Sequence, residues 1–210
     1  MPKDASLLAK EFIAHLKNIE HTRAKMEELF SQRKIVKRDI ELVYSGLFLD
    51  AVTSFERFIE SLFVQLLCNK ATHQSRKIKG TLTFTSEKQC RTIINAGEKY
   101  VDWLPIEKTL NRANIFFDDG EPFVRVEIHA TKQKLLKLSS IRNAIAHRSS
   151  YSLAKFQKHV IAGQALTSSE KTPLGYLRSV YITYPVTERR YQEIIADMAF
   201  VANTLVKRTV

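Results

Sequence analysis

The sequence predicts a mainly all-α fold, and three observations carry that reading. Apolar residues recur at three- and four-residue steps over most of the chain, which is the period of a helix with one buried face. Turn formers are scarce: six glycines and five prolines in 210 residues, about half or less of the usual share of roughly 12%. Pro2 and Pro105 bracket a stretch with no proline at all, which leaves room for long helices. Hydrophobic residues make up 44% of the chain, near the globular norm of roughly 45–50%, so a real core can form.

The first helix is expected from Ser6 to about Phe30, where Leu8, Phe12, Leu16, Ile19, Met26 and Leu29 hold the helical step. A basic elbow follows, with Arg33, Lys34, Lys37 and Arg38. The same period then resumes at Ile40 and continues through Tyr44, Ala51, Phe55, Phe58, Ile59, Leu62, Phe63 and Leu67 to about Asn69. About thirty residues at 1.5 Å each give a helix roughly 45 Å long, the spine of a bundle. From Lys70 to about Tyr100 the pattern breaks, and only Thr81-Leu82-Thr83-Phe84-Thr85 alternates like a short strand.

Pro105 suits the first turn of a helix running to about Phe117, and Asp118-Asp119-Gly120-Glu121-Pro122 reads as a turn. The next helix is expected over 126–147, with Ile128, Leu135, Leu138, Ile141 and Ile145 as its buried stripe. A short helix near Leu153–Ile161 stops at Gly163, and Val180-Tyr181-Ile182-Thr183-Tyr184 reads as a strand or extended connection before Pro185. The last helix runs from about Thr187 to Lys207, with Tyr191, Ile194, Ile195, Met198, Val201, Ala202 and Leu205 on one face. With no repeats and no low-complexity linker, residues 1–210 are expected to form a single domain.

The balance of 33 Lys+Arg against 22 Asp+Glu gives a net charge of +11 and points to a polyanionic partner, most simply nucleic acid. Cys68 and Cys90 are far apart, without the spacing of a zinc site, so neither a disulfide framework nor a structural metal organises the fold. No apolar run approaches the roughly 18–20 residues of a membrane helix, and Met1-Pro2-Lys3-Asp4 lacks a secretory layout. A cytoplasmic protein with no membrane partner and no cofactor is the expectation.

Chemistry concentrates in Ser139-Ser140-Ile141-Arg142-Asn143-Ala144-Ile145-Ala146-His147-Arg148, at the expected C-terminal end of a helix. Asn143 and His147 are four residues apart and share a face, whereas Arg142 lies roughly 140° around the axis from His147. The arginine and histidine are therefore expected to converge poorly within one chain and to meet across a two-fold axis. A histidine can take a proton from a ribose 2′-hydroxyl or give one to the leaving oxygen, and an arginine can hold the charge that builds on phosphorus. Such a cleft would cut RNA without a metal, with the 2′-hydroxyl as internal nucleophile. The same residues also admit a structural reading, with Arg142 capping helix carbonyls and His147 placed at the negative end of the helix.

Arg142-Asn143-Ala144-Ile145-Ala146-His147 resembles the Arg-polar-x3-His motif of the HEPN superfamily (higher eukaryotes and prokaryotes nucleotide-binding). The stretch Ala51-Val52-Thr53-Ser54-Phe55-Glu56-Arg57-Phe58-Ile59-Glu60-Ser61-Leu62-Phe63 is similar to the long helix that precedes it in that family. The resemblance implies a helical bundle with two long antiparallel helices, shorter helices and room for a small strand insertion. It further implies a homodimer that builds a composite, metal-independent endoribonuclease site, in a toxin–antitoxin or antiviral setting with an antitoxin or other regulatory partner. By that carry-over Arg142 and His147 are the catalytic pair, and Asn143 positions the phosphate or the histidine. Some family toxins carry a tyrosine two residues after the histidine that a partner modifies. Ser149 stands there in this chain, so control by that partner is not expected.

Glu56 is an acidic residue in a strongly apolar part of the long helix and is a supporting candidate, to orient His147 or Arg142; the alternative is a solvent-facing or ion-paired carboxylate. Arg33, Lys34, Lys37, Arg38, Arg76, Lys77, Lys79 and Arg148 are candidates for tracking an RNA backbone, and unstacked loops such as tRNA anticodons are the kind of RNA that proteins read. Tyr100 and Trp103 are candidates for stacking a base, with core packing the alternative for Trp103. His15, His21, His73, His129 and His159 lack ligand spacing and read as surface or structural. The rival to an enzyme is a non-catalytic module that binds RNA or protein with the same bundle.

Overall fold

The computed structural model describes residues 3–73, 78–96, 98–182 and 187–207. Among them lie eight α-helices and four short strands, so the fold is mainly α. Strand β1 (Lys3–Asp4) leads into α1 (Ala5–Ser31), and α2 (Lys37–Leu67) follows. Then come β2 (Ala71–Thr72), α3 (Glu87–Ile94) and α4 (Ile106–Phe116), with 3-10 turns at Asp118–Gly120 and Phe123–Val126. Helix α5 spans His129–His147 and α6 spans Ser150–Phe156, continuing as a π turn over Gln157–Ile161. The chain closes with α7 (Pro173–Arg178), β3 (Val180–Ile182), β4 (Glu188–Arg189) and α8 (Arg190–Val206). No helix among the described residues is long and apolar enough to cross a membrane.

The contacts divide the chain into two compact units. The first comprises Met1–Ile13, Ser54–Leu135 and Ala199–Val210. Its core is an aromatic cluster around Phe63, whose ring lies 4.8 Å from that of Phe117, 5.0 Å from Phe123 and 5.1 Å from Trp103. Edge-on and tilted rings at these separations combine large apolar burial with favourable quadrupole contacts. Trp103 is 4% exposed and carries the Arg112 guanidinium over its ring, so it packs the core, and the stacking role considered for it is corrected. Its backbone carbonyl accepts a hydrogen bond from the Thr109 hydroxyl at 2.6 Å, which fixes the entry into α4. Tyr100 is 79% exposed.

The strand expected over 81–85 is absent. Gly80 instead forms an isolated antiparallel bridge with Phe117, and the Thr81 amide donates to the Phe116 carbonyl. A β-carbon at position 80 would stand 2.8 Å from Leu67 Cδ2 and from the Leu82 carbonyl oxygen, so only glycine fits there. The alternation at 81–85 thus describes a segment held to the end of α4 through Thr81 and to α2 through the Phe84 amide, 3.5 Å from the Leu67 carbonyl, with Phe84 buried. Helix α5 begins at His129, one residue past Ile128, which is 66% exposed and leaves the expected stripe. Cys68 and Cys90 are free thiols, and burial together with the neighbouring Cys68 pushes the Cys90 thiol up to about 12.

The second unit comprises Ala14–Thr53 and Leu136–Met198. Within it α1 and α2 run antiparallel: His15 pairs with Asp50 at 3.0 Å, and Glu27, further along α1, meets Tyr44, earlier on α2. The Tyr44 hydroxyl donates to Glu27 Oε1 at 2.7 Å, while Arg178 Nε and Arg189 Nη2 each approach the same carboxylate at 3.3 Å. One carboxylate on α1 therefore holds the end of α7 and strand β4. Arg23, itself gripped by Glu20, donates to the Tyr44 hydroxyl. Tyr191 at the start of α8 sets its ring edge-on to Tyr44 at 5.3 Å.

Burial by itself would raise the Glu27 pKa, but hydrogen bonds from Tyr44 and Arg178 and the charge of Arg189 outweigh it and hold the carboxyl below its ordinary value. A depressed carboxylate contributes stability that is present above its unfolded value, about 4.3, and is lost as pH falls through the folded one. Glu27→Gln is expected to lower stability by about 1–3 kcal/mol at pH 7, with the deficit shrinking as pH falls below about 4. Urea denaturation at a series of pH values measures this, and an equal deficit at pH 3 and pH 7 would contradict it.

Candidate functional site

The buried side of the C-terminal half of α5 is made by Leu138, Ile141, Ala144 and Ile145, the helical stripe that the sequence predicts. Burying that stripe turns Arg142 and Asn143 into half-buried positions and leaves His147 exposed. The helix ends at His147 because Arg148 adopts a positive φ of 50°, a left-handed stop of the kind usually given to glycine. Ser149 then caps α6 by accepting from the Ser152 amide at 3.2 Å.

Arg142 Nη1 donates to Asn143 Oδ1 at 2.9 Å and lies 3.4 Å from His147 Nε2. The three residues therefore converge in a single chain, which corrects the expectation that arginine and histidine meet only across two chains. The 140° offset describes the Cα positions. The arginine stem is long enough to carry the guanidinium around the helix surface to the face that Asn143 and His147 share. The contact is exposed, and the roles of the two imidazole nitrogens in it follow the ring's tautomer. An exposed imidazole beside a cation is an arrangement that can exchange a proton with a substrate hydroxyl while the cation faces the substrate's negative charge.

The other sequence candidates distribute unevenly. Arg33, Lys34, Lys37 and Arg38 are exposed at the junction of α1 and α2, in the same unit as the motif, and Arg148 is exposed beside it. Lys79 is exposed in the first unit, and Glu56 is half-buried there. Arg76 and Lys77 lie outside the described residues. Of the histidines, His73 is buried and its Nε2 lies 3.0 Å from the Leu205 carbonyl oxygen, a structural contact. Among the described residues no group of three or more His, Cys, Asp or Glu side chains is placed to hold a metal ion.

Sequence reasoning passed over α7, although it carries a start signal. The Thr172 hydroxyl accepts from the Gly175 amide, and Pro173 occupies the first helical position, the pairing of cap and proline that opens helices. No known protein family, curated protein or solved structure matches the chain.

Because His147 is exposed, His147→Ala is expected to change stability by no more than about 0.5 kcal/mol. Thermal denaturation of the variant beside the parent measures this, and a loss of several kcal/mol would assign the histidine a structural role.

Proposed function

We propose that this protein is a metal-independent endoribonuclease, a toxin or antiviral effector, whose site is built from Arg142, Asn143 and His147. The observation that supports it is the contact set at the end of α5, where Arg142 Nη1 reaches both Asn143 Oδ1 and His147 Nε2 on an accessible helix end. The His147 imidazole takes the proton of a ribose 2′-hydroxyl, whose oxygen attacks the adjacent phosphorus. The bond from phosphorus to the 5′-oxygen breaks, and the products carry a 2′,3′-cyclic phosphate and a 5′-hydroxyl. Arg142 stabilises the extra negative charge on the phosphoryl oxygens, where a preorganised cation is most effective. Asn143 keeps the guanidinium in place through its Oδ1.

The leaving 5′-oxygen needs a proton, and a base that has just accepted one is suited to return it only after moving. A homodimer with two motif helices side by side supplies a second histidine for that task, so base and acid come from different copies. The chain's net charge of +11 suits a polyanionic substrate, and the basic elbow Arg33, Lys34, Lys37 and Arg38 lies in the same unit as the motif.

Incubation of the purified protein with total RNA in EDTA, beside His147→Ala and Arg142→Ala, tests the reading. Cleavage that survives EDTA, leaves cyclic phosphate ends and falls at least about 100-fold in each variant is expected. Light scattering should give a mass of two 24.2 kDa chains. Equal cutting by parent and variants, or intact RNA with a monomeric protein, would overturn it.

A further inference from the structure

A cleft of about 480 Å³ opens beside the motif, wholly within the second unit. One wall is the motif helix itself, through Ala144 and Ile145, and Arg148 stands at its end. Leu153 of α6 and Pro173 and Leu174 of α7 also line it, with Lys37 of the basic elbow and Glu41 beside it. The slot is thus apolar on its flanks and carries two cations at its edge, with Lys37 and Glu41 3.7 Å apart as a loose pair. Ser169 and Thr172 add hydroxyls. A second cavity of about 410 Å³ shares Lys37, Glu41 and Ser169 with it and extends to Glu170, Arg178 and Arg189.

Apolar walls with a few hydroxyls and flanking cations suit an unstacked nucleobase with its phosphates. Apolar sides take the π-faces of the base, hydroxyls meet its edge, and cations meet the backbone. A paired base cannot leave its stack without cost, so the occupant is single-stranded. We propose that this cleft is the subsite for one nucleobase of single-stranded RNA next to the cleaved bond, with Arg148 and Lys37 on the flanking phosphates; the inference rests on the ribonuclease reading for the position of that bond. The shared cavity carries the strand onward past Arg178 and Arg189.

Two variants separate the subsite from folding. Arg148 sits at φ 50°, where glycine is better accommodated than any side chain, so Arg148→Gly removes the charge while favouring the backbone. Leu153 is 37% exposed, so Leu153→Glu places a carboxylate in the slot without opening a core cavity. Binding of a fluorescent single-stranded RNA decamer is measured in a His147→Ala background, in a salt series, with an RNA duplex of the same sequence as comparator. Leu153→Glu should weaken single-strand binding roughly tenfold, and Arg148→Gly should reduce the slope of log affinity against log salt by about 0.7. Melting temperatures should match the parent, and Leu153→Ala replaces the glutamate variant if that one does not fold.

Unchanged single-strand affinity in both variants, or tighter binding of the duplex, would overturn the subsite. If the parent then still cuts RNA, the ribonuclease reading stands without it. Weakened binding in both variants with no cutting by the parent keeps the subsite as a binding cleft and removes the ribonuclease reading. A protein that neither binds the decamer nor cuts RNA loses both.

Discussion

The second unit depends on a single carboxylate. Glu27 accepts the Tyr44 hydroxyl and faces Arg178 and Arg189, which lie 151 and 162 residues away in sequence. The elements that those arginines belong to are too short to stand alone: α7 has six residues and β4 two, and β3, which pairs with β4, has three. A helix of one or two turns and an isolated two-stranded ribbon are both marginal in water. Their position is therefore set by tertiary contacts, and Glu27 supplies the charged one. Two cations against one carboxylate leave the group with net positive charge, which Tyr44 cannot offset, because burial and the hydrogen bond to Glu27 push its hydroxyl up to about 12 and keep it protonated.

Packing around Tyr176 reinforces the same region. Its ring is buried, lies edge-on to Phe156 at 6.1 Å, and has Lys137 and Arg190 over it at 5.2 and 4.9 Å. Tyr176 is the third residue after Pro173, so the anchor that fixes α7 from within is on the same short helix whose outer residues, Pro173 and Leu174, line the cleft. Cation and aromatic contacts of this kind strengthen as water is excluded. The wall of the cleft is thus held from behind by charged and aromatic contacts, while its open side stays apolar.

How much of this could be read from the sequence differs between elements for physical reasons. Helices α1, α2, α4, α5 and α8 announce themselves because each buries a stripe over three or more turns, and Tyr191, Ile194, Met198 and Leu205 are all in the core as the period requires. Helices α3 and α7 are too short for a period to emerge, and their local signals are the caps Ser86 and Thr172, with Pro173 following the second. Alternation at 81–85 misled because a strand needs a partner along its length, and the backbone pairing here is confined to Gly80 and Thr81 against Phe116 and Phe117. Arg142, Asn143 and His147 were legible as a pattern. Their meeting was not, since helical angles place backbones and say nothing of how far a flexible arginine reaches. The cleft was hidden for another reason: its walls come from α2, α5, α6, α7 and the segment before α7, and no periodicity joins residues so far apart.

The left-handed residue that ends α5 links the fold to the chemistry proposed for it. Had the helix continued past His147, its next turn would have covered the imidazole and the guanidinium beside it. Arg148 at φ 50° stops the helix at that point, the Ser149 cap starts α6 at once, and His147 stays exposed. Glycine would make that turn at lower conformational cost. An arginine there accepts strain of about 1 kcal/mol, and in return a cation stands between the motif and the apolar cleft, where a phosphate joining a bound base to the reacting ribose would pass. That placement gives a physical reason for a charged side chain at a position whose backbone favours none.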